Sequence, residues 1–167
     1  MGSTLSVDNI IEKTTGAGVK IPEHIIQTQV TTNNTYGSYN STSAIPTGLS
    51  VSITPKYNNS TILVTFSLAG LTSFTGGGSN AIALYIYLYK NGSNLAQMDD
   101  HWGYTNSLAN LTGSATYSYM DSPATTSAVT YAVYFKGQTS NQLIGINNYM
   151  NNNGGSRSTI IAQEMAQ

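Results

Sequence analysis

The stretch AIALYIYLY (residues 81–89), followed by KNGS (residues 90–93), decides the fold class of this chain. Successive residues of an extended strand point to opposite faces. One face here is aliphatic and the other mostly aromatic: Ile82, Leu84, Ile86 and Leu88 against Ala83, Tyr85, Tyr87 and Tyr89. Two apolar faces predict a strand that is buried on both sides. A sandwich core would cover one face, and we expect a second subunit to cover the other.

The tetrapeptide KNGS predicts a tight hairpin turn directly after this strand. Asn-Gly suits a two-residue turn because both positions need positive φ, which Asn tolerates and Gly adopts freely. Residues 95–98 are then the returning strand. The turn-like residues 57–60 predict a second hairpin, between strands at residues 49–54 and 62–68.

Further short segments with alternating apolar and polar residues recur along the chain, and none has a sustained helical period. They lie at residues 25–31, 115–120, 128–135, 143–146 and 159–165. The sequence therefore predicts an all-β, antiparallel, jelly-roll-like sandwich of two sheets. The order of the strands stays open at this point.

Composition excludes several classes of function. Charged residues make up 8% of the chain, against about 25% in ordinary globular proteins. The net charge is −1 and the cations are scattered, so a nucleic-acid surface is not expected. The chain has no cysteine, which removes disulfides and cysteine nucleophiles, and no apolar run long enough to predict membrane insertion. We expect a protein made in a cytoplasm.

Residues 1–23 differ from the rest because they hold much of the charge and a Thr-Gly-Ala-Gly break at residues 15–18. They are predicted to form an N-terminal arm, and residues 24–167 the β-sandwich domain. Either the arm is a frayed terminus or it is an attachment segment that orders on a partner. For the second case the anchoring candidates are the apolar residues Leu5, Val7, Ile10, Ile11, Val19 and Ile21.

No catalytic, cofactor or metal site is predicted. The local grouping Asp99-Asp100-His101-Trp102 is expected to be a polar loop beside a packed tryptophan, since neighbouring carboxylates on a strand point apart. Asp121 precedes Ser-Pro and is expected to form a turn. Glu164 is expected to face solvent or a neighbouring subunit.

The chain has 12 tyrosines, and they point to a binding surface. Tyrosine offers a large contact area with a polar tip, which suits subunit interfaces and glycan surfaces. Since the aliphatic residues already provide a core face, we predict an interface between copies of the chain, with a glycan surface as the alternative reading. The interface candidates are Tyr85, Tyr87, Tyr89, Tyr131 and Tyr134.

The order of several segments resembles small structural proteins of tailed bacteriophages that end in a trimeric jelly-roll knob. The matching segments are STLSVDNI (3–10), TGAGVKIP (15–22), LSVSITP (49–55) with STILV (60–64), YMDSP (119–123) with AVTY (128–131), and STIIAQEM (158–165). In this family the paired segments are two long hairpins and the last is the closing strand.

The resemblance implies a homotrimeric knob similar to the complement C1q and tumour-necrosis-factor folds, with no catalytic residues and no cofactor. It implies a virion protein that other phage virion proteins hold through the arm, and that is displayed outward as a short fibre or spike in contact with host-surface glycans. A shaft of about 23 residues is short for a fibre. The alternative is a capsid decoration or cement protein without a receptor role.

Overall fold

The computed structural model describes residue 11 and residues 24–75, 82–106, 110–147 and 155–167, in which the chain forms ten β-strands. In chain order these are β1 (Ile25–Asn33), β2 (Gly37–Tyr39), β3 (Ile45–Ile53), β4 (Thr61–Thr75), β5 (Ile82–Lys90), β6 (Ser93–Thr105), β7 (Asn110–Asp121), β8 (Val129–Gly137), β9 (Gln142–Ile146) and β10 (Ser158–Met165). Within the predicted arm only Ile11 is described, so its boundary at residue 23 stays a prediction.

The strands form two antiparallel sheets that pack face to face. Sheet A has the order β1-β10-β4-β9-β2, with β7 on the other edge of β4, and sheet B has the order β3-β8-β5-β6. Strands β1-β10-β4-β7 thus lie over β3-β8-β5-β6, which is the double Greek key of a jelly roll. The predicted all-β, antiparallel, two-sheet sandwich is confirmed, and the structure supplies the strand order.

The core lies between the two inner faces and follows the predicted alternation. Along β4, Ile62, Val64, Phe66 and Leu68 are completely buried. Burial of each such side chain contributes about 1.5–3 kcal/mol to the stability of the folded state. A slip of one residue would turn the whole set outward, so this alternation fixes the register of the strand.

The hairpin predicted at KNGS is confirmed. Lys90 of β5 pairs with Ser93 of β6, and between them Asn91 and Gly92 have φ values of 50° and 81°. Asn91 also binds the neighbouring strand β8, because its backbone N–H donates to the carbonyl of Thr130 and its side-chain oxygen accepts from the N–H of the same residue. The turn is therefore held from the side as well as by its own geometry.

The second predicted hairpin, around residues 57–60, is wrong. Strand β3 pairs with β8 in sheet B, while β4 pairs with β10 and β7 in sheet A, so this turn crosses from one sheet to the other. The later pair of segments, in β7 and β8, likewise lies in two different sheets. The composition of a turn predicts a reversal of the chain, but it does not predict which sheet the next strand joins.

The expectation that Glu164 faces solvent or a neighbouring subunit is also wrong, because this side chain has no exposed surface. Its Oε1 accepts from the backbone N–H groups of Lys56 (2.7 Å) and Tyr57 (3.2 Å), and its other oxygen accepts from Gln27 Nε2. The carboxylate thus satisfies the backbone where the chain leaves sheet B after β3. Glu164 lies in phase with Ile160 and Ala162, which places it on the inner face of β10.

The grouping at residues 99–102 is not a loop, since β6 runs continuously through it. Strand β6 crosses this stretch with several register shifts against β5. Trp102 packs against the core, as expected.

We predict that Glu164→Leu lowers the free energy of unfolding by about 2 kcal/mol, because it removes the carboxylate that accepts from the turn amides of Lys56 and Tyr57. Glu164→Gln keeps one carbonyl oxygen for those amides, so its free energy of unfolding should fall by about half as much. Urea unfolding followed by circular dichroism measures both variants. Equal losses for the two variants would contradict the role given to the turn amides.

Candidate functional site

Four of the five predicted interface tyrosines lie on the outer face of sheet B. Tyr85, Tyr87 and Tyr89 project from β5, and Tyr134 projects from β8 directly opposite Tyr87. We call these four residues the tyrosine face.

The rings of the tyrosine face are largely covered by groups of the same chain. Tyr89 and Tyr134 stack with centroids 3.9 Å apart and an angle of 15° between the rings. Lys136 Nζ lies 4.7 Å from the centroid of Tyr85, within range of a cation–π interaction. Tyr87 keeps only 7% of its surface exposed. The prediction that β5 is buried on both sides is confirmed, but this burial does not require a second subunit.

Tyr131 does not belong to this surface, and its assignment as an interface candidate is corrected. It is completely buried in the core, in phase with Val129, Val133 and Phe135. Because Tyr131 and Tyr134 are three residues apart on one strand, they point to opposite faces. The odd spacing between Tyr131 and Tyr134 could therefore have shown from the sequence that they lie on different faces.

Tyr131 instead belongs to a buried polar cluster that ties the two sheets together. Its hydroxyl donates to Asp121 Oδ2 (2.6 Å), and Lys90 Nζ lies 3.0 Å from both carboxylate oxygens of Asp121. Asp121 ends β7 in sheet A, while Lys90 and Tyr131 belong to sheet B. Asp121 is thus a mostly buried strand residue and not the turn former that its Ser-Pro neighbours indicated.

The carboxylates around residue 100 diverge, as the alternation predicts. Asp99 accepts hydrogen bonds from the Tyr117 hydroxyl and from the backbone N–H of His101. Asp100 is exposed and lies 3.4 Å from His101 Nδ1. Burial, followed by the hydrogen bond from its hydroxyl to Asp99, raises the pKa of Tyr117 above its ordinary value. Among the described residues, no three potential metal ligands come together.

A second surface, the outer face of sheet A, was not predicted from the sequence. Its cross-strand rows lie side by side over β1, β10, β4 and β7. The rows are Thr28–Gln163–Leu63–Met120, Val30–Ile161–Thr65–Ser118 and Thr32–Thr159–Ser67–Thr116, with Ile25–Met165–Thr61 beside them. None of these residues is charged, and we call this set the uncharged face.

The uncharged face combines exposed apolar side chains with paired hydroxyl groups. Ile25, Val30 and Met120 each keep more than half of their surface exposed. Thr65 and Ser118 share a hydrogen bond of 2.9 Å across β4 and β7. The sequence placed the polar residues of β4 opposite the core. It could not show that neighbouring strands continue the same uncharged rows, because that depends on strand order.

Of the six anchoring candidates, the structure describes Ile11, whose side chain is 79% exposed. The other five lie outside the described residues. Among the described residues there is no helix that could span a membrane.

We predict that the stability of the protein falls above pH 10.0 partly through Tyr131. Burial, and then the hydrogen bond to Asp121, raise the pKa of this phenol above its ordinary value of 10.0. Above that pH the unfolded chain loses the proton while the folded chain keeps it. The free energy of unfolding therefore falls by up to about 1.4 kcal/mol per pH unit, and the contribution is fully present below pH 10.0.

Tyr131→Phe should lower the free energy of unfolding by about 1.5 kcal/mol at pH 7. The difference from the unsubstituted protein should shrink at higher pH, because phenylalanine has no proton to lose. Urea unfolding between pH 7 and about pH 11 measures the difference from the unsubstituted protein. Val133→Ala, which alters the same inner face without a titrating group, should differ from that protein by a constant amount. A constant difference for Tyr131→Phe would contradict the prediction.

The comparisons with known proteins concern shape more than sequence. No protein-family model matches the sequence, and no curated protein matches it. In structure the chain is distantly similar to dimeric latent PorU from Porphyromonas gingivalis (TM-score 0.46, 9% identity, 93% of this chain and 14% of that one). It is also similar to VP2 of infectious bursal disease virus in a subviral particle (TM-score 0.43, 14% identity, 84% of this chain and 38% of that one). A third similar structure is that of T=1 particles derived from the same virus (TM-score 0.40, 14% identity, 95% of this chain and 41% of that one). The chain thus spans less than half of each of these proteins, and at TM-scores below 0.5 its role does not follow from them.

Proposed function

We propose that this chain is a structural protein of a bacteriophage virion, a homotrimeric β-knob held on the particle by residues 1–23 and displayed outward. The sequence resemblance to phage knob proteins supports the virion assignment. Viral capsid domains and lectins both use the jelly-roll fold, and this analogy of fold also supports the virion assignment. The observation that carries the proposed self-association is the uncharged face of sheet A.

A surface of this composition suits contact with other copies of the chain. The core of a protein interface is depleted in charged residues. The rows of the uncharged face span four strands and bear exposed Ile25, Val30 and Met120. Packing such a surface against a neighbour needs no desolvation of a charge.

Threefold symmetry decides how the two sheets can take part. In a closed trimer each interface joins two different patches, whereas patches on opposite sides of a chain lead to an open filament. The tyrosine face and the uncharged face lie on opposite sides of the sandwich. We infer that only one of them lines the trimer, together with an edge of the neighbouring chain.

The uncharged face is the better of the two for this role. The tyrosine face carries Lys136 over its rings, with His101 beside Tyr85. Covering the ammonium group without an acidic partner would cost free energy, since a buried charge needs compensation. In the proposed trimer, the rows of the uncharged face on β1, β10, β4 and β7 face the neighbouring chains, and sheet B faces outward.

The proposal assigns no catalytic role. The acids Asp99, Asp121 and Glu164 each accept hydrogen bonds that hold strands or turns. The second candidate function is a decoration or cement protein without a receptor role. The covering of the tyrosine rings by their own chain favours this candidate, because stacked rings offer little flat surface to a host glycan.

We predict that the protein in solution has three times the chain mass of 17.7 kDa, and that Thr65→Lys converts it to monomers. The new ammonium group would lie in the centre of the uncharged face and cost about 3 kcal/mol or more per interface. Light scattering after size exclusion measures the mass.

Ala132→Lys is the matched variant because it places the same charge in the row of Tyr89 on the outer face of sheet B. It should leave the trimer intact. The reverse result, monomers from Ala132→Lys and trimers from Thr65→Lys, would assign the interface to the tyrosine face. A monomeric parent protein would reject the trimer.

We predict that deleting residues 1–23 abolishes binding to the virion and leaves a folded trimer. The deletion removes all six anchoring candidates while every described strand is kept. Cosedimentation of the purified protein with particles that lack it measures the binding. Undiminished binding of residues 24–167 would reject the anchoring role for both the fibre and the cement versions.

A further inference from the structure

We propose that a cleft at the end of sheet A, where β9 and β2 join it, binds a neutral carbohydrate unit. The cleft has a volume of about 320 Å³, at the small end of ligand pockets in proteins. Its apolar lining comes from Tyr36, Phe74 and Leu143, and its polar lining from Ser38, Thr72 and Asn110. This inference rests on the proposed outward display of the knob, because it names the class of host molecule that the knob would contact.

The cleft exists because β4 changes partners along its length. Its first half pairs with β10, and from Thr72 onward it pairs with β9. Between the halves the register against β7 shifts from Leu68 to Leu71, and Gly70 has φ of 57°. Such a bulge bends a strand and increases its twist. The surface beyond it is therefore set apart from the rows of the uncharged face.

A glycine allows β2 and β9 to approach closely at the middle of the cleft. Gly145 lies between Ser38 of β2 and Thr72 of β4 in one cross-strand row. A Cβ atom at this position would lie 3.1 Å from the carbonyl oxygen of Gly37 and 3.7 Å from Thr72. The row therefore has no side chain between Ser38 and Thr72, and β2 lies close to β9 at this point.

The next row supplies the apolar wall. Phe74 pairs with Leu143 on one side and with Asn110 on the other. The two apolar side chains are 38% and 41% exposed, so they already present surface to solvent. The amide group of Asn110 lies at the end of this wall and can both donate and accept hydrogen bonds.

These groups match the chemistry of a neutral sugar ring. A pyranose has an apolar C–H face, which packs on an aromatic ring, and hydroxyl groups that exchange hydrogen bonds with other hydroxyls and amides. Among the described residues, none of those that line the cleft is charged. An acidic sugar or a phosphate would therefore be desolvated without a cation to compensate it, which is unfavourable. The lining thus selects neutral sugars over anionic ones.

The test uses the full-length protein and a panel of neutral disaccharides at millimolar concentration: cellobiose, lactose, mannobiose and N,N′-diacetylchitobiose. Two-dimensional amide NMR detects binding at Thr72, Gly145 and the Asn110 side chain. We expect at least one of these sugars to shift these signals with a millimolar Kd. A disaccharide of galacturonic acid should bind at least about tenfold more weakly.

Phe74→Ala removes the aromatic wall and should weaken binding of that sugar by about tenfold. Tyr104→Ala, which removes an exposed aromatic side chain from β6 of sheet B, is the matched control and should leave Kd unchanged. Gly145→Ala adds a Cβ atom 3.1 Å from the carbonyl oxygen of Gly37, which displaces β2 at the cleft. It should abolish the shifts, with circular dichroism used to verify folding.

Absence of shifts with the whole panel, or equal Kd values for Phe74→Ala and the parent protein, would overturn the proposal. A change of solution mass in Phe74→Ala would also overturn it, by assigning the cleft to contacts between copies of the chain. The mass of the same samples separates the two ideas. If the protein is a trimer and binds no sugar, only the sugar site in the cleft is rejected. If it is a monomer and binds sugar, only the trimer is rejected.

Discussion

The fold depends on satisfying the backbone wherever the chain leaves one sheet for the other. Among the described strands, β5 and β6 are the consecutive pair that forms a hairpin, and most other connections cross between sheets. A crossing interrupts the ladder, and buried N–H and C=O groups without partners are costly. After β3, the Glu164 carboxylate accepts hydrogen bonds from the turn amides. After β8, the Gln142 side chain accepts a hydrogen bond from the N–H of Gln138 and donates one to the carbonyl of Ala83. A few buried polar side chains thus hold the corners of the sandwich.

The sequence predicted the strands well and the connections poorly, for a physical reason. Strand patterns are local, since the alternation in β4 and the Asn91-Gly92 turn each depend on neighbouring residues. Whether the next strand joins the same sheet depends on contacts with residues far along the chain. Glu164, 108 residues from Lys56, illustrates this: its place in the inward phase of β10 was visible, but its partners were not. Tyr131 shows the opposite case, because its spacing from Tyr134 already placed it on the other face.

The scarcity of charge acquires a spatial meaning once the strand order is known. Of the charged residues that the structure describes, Asp121 and Glu164 are buried, and Lys136 lies over the rings of the tyrosine face. None lies in the rows of the uncharged face. The two outer surfaces of the sandwich therefore differ in kind. One has a cation fixed above aromatic rings, and the other offers neutral hydroxyl and apolar groups.

The bulge at Gly70 explains how one sheet could serve both a neighbouring chain and a sugar. On the near side, Thr65 and Ile161 lie in rows that continue from β10 through β4 to β7. On the far side β4 pairs with β9, and the row through Gly145 lacks a side chain at its centre. A partner that packs flat on the first half would not follow the surface past the bend. Since a β-bulge redirects a strand without ending it, the same uncharged composition can form a flat contact surface and an open cleft along a single strand.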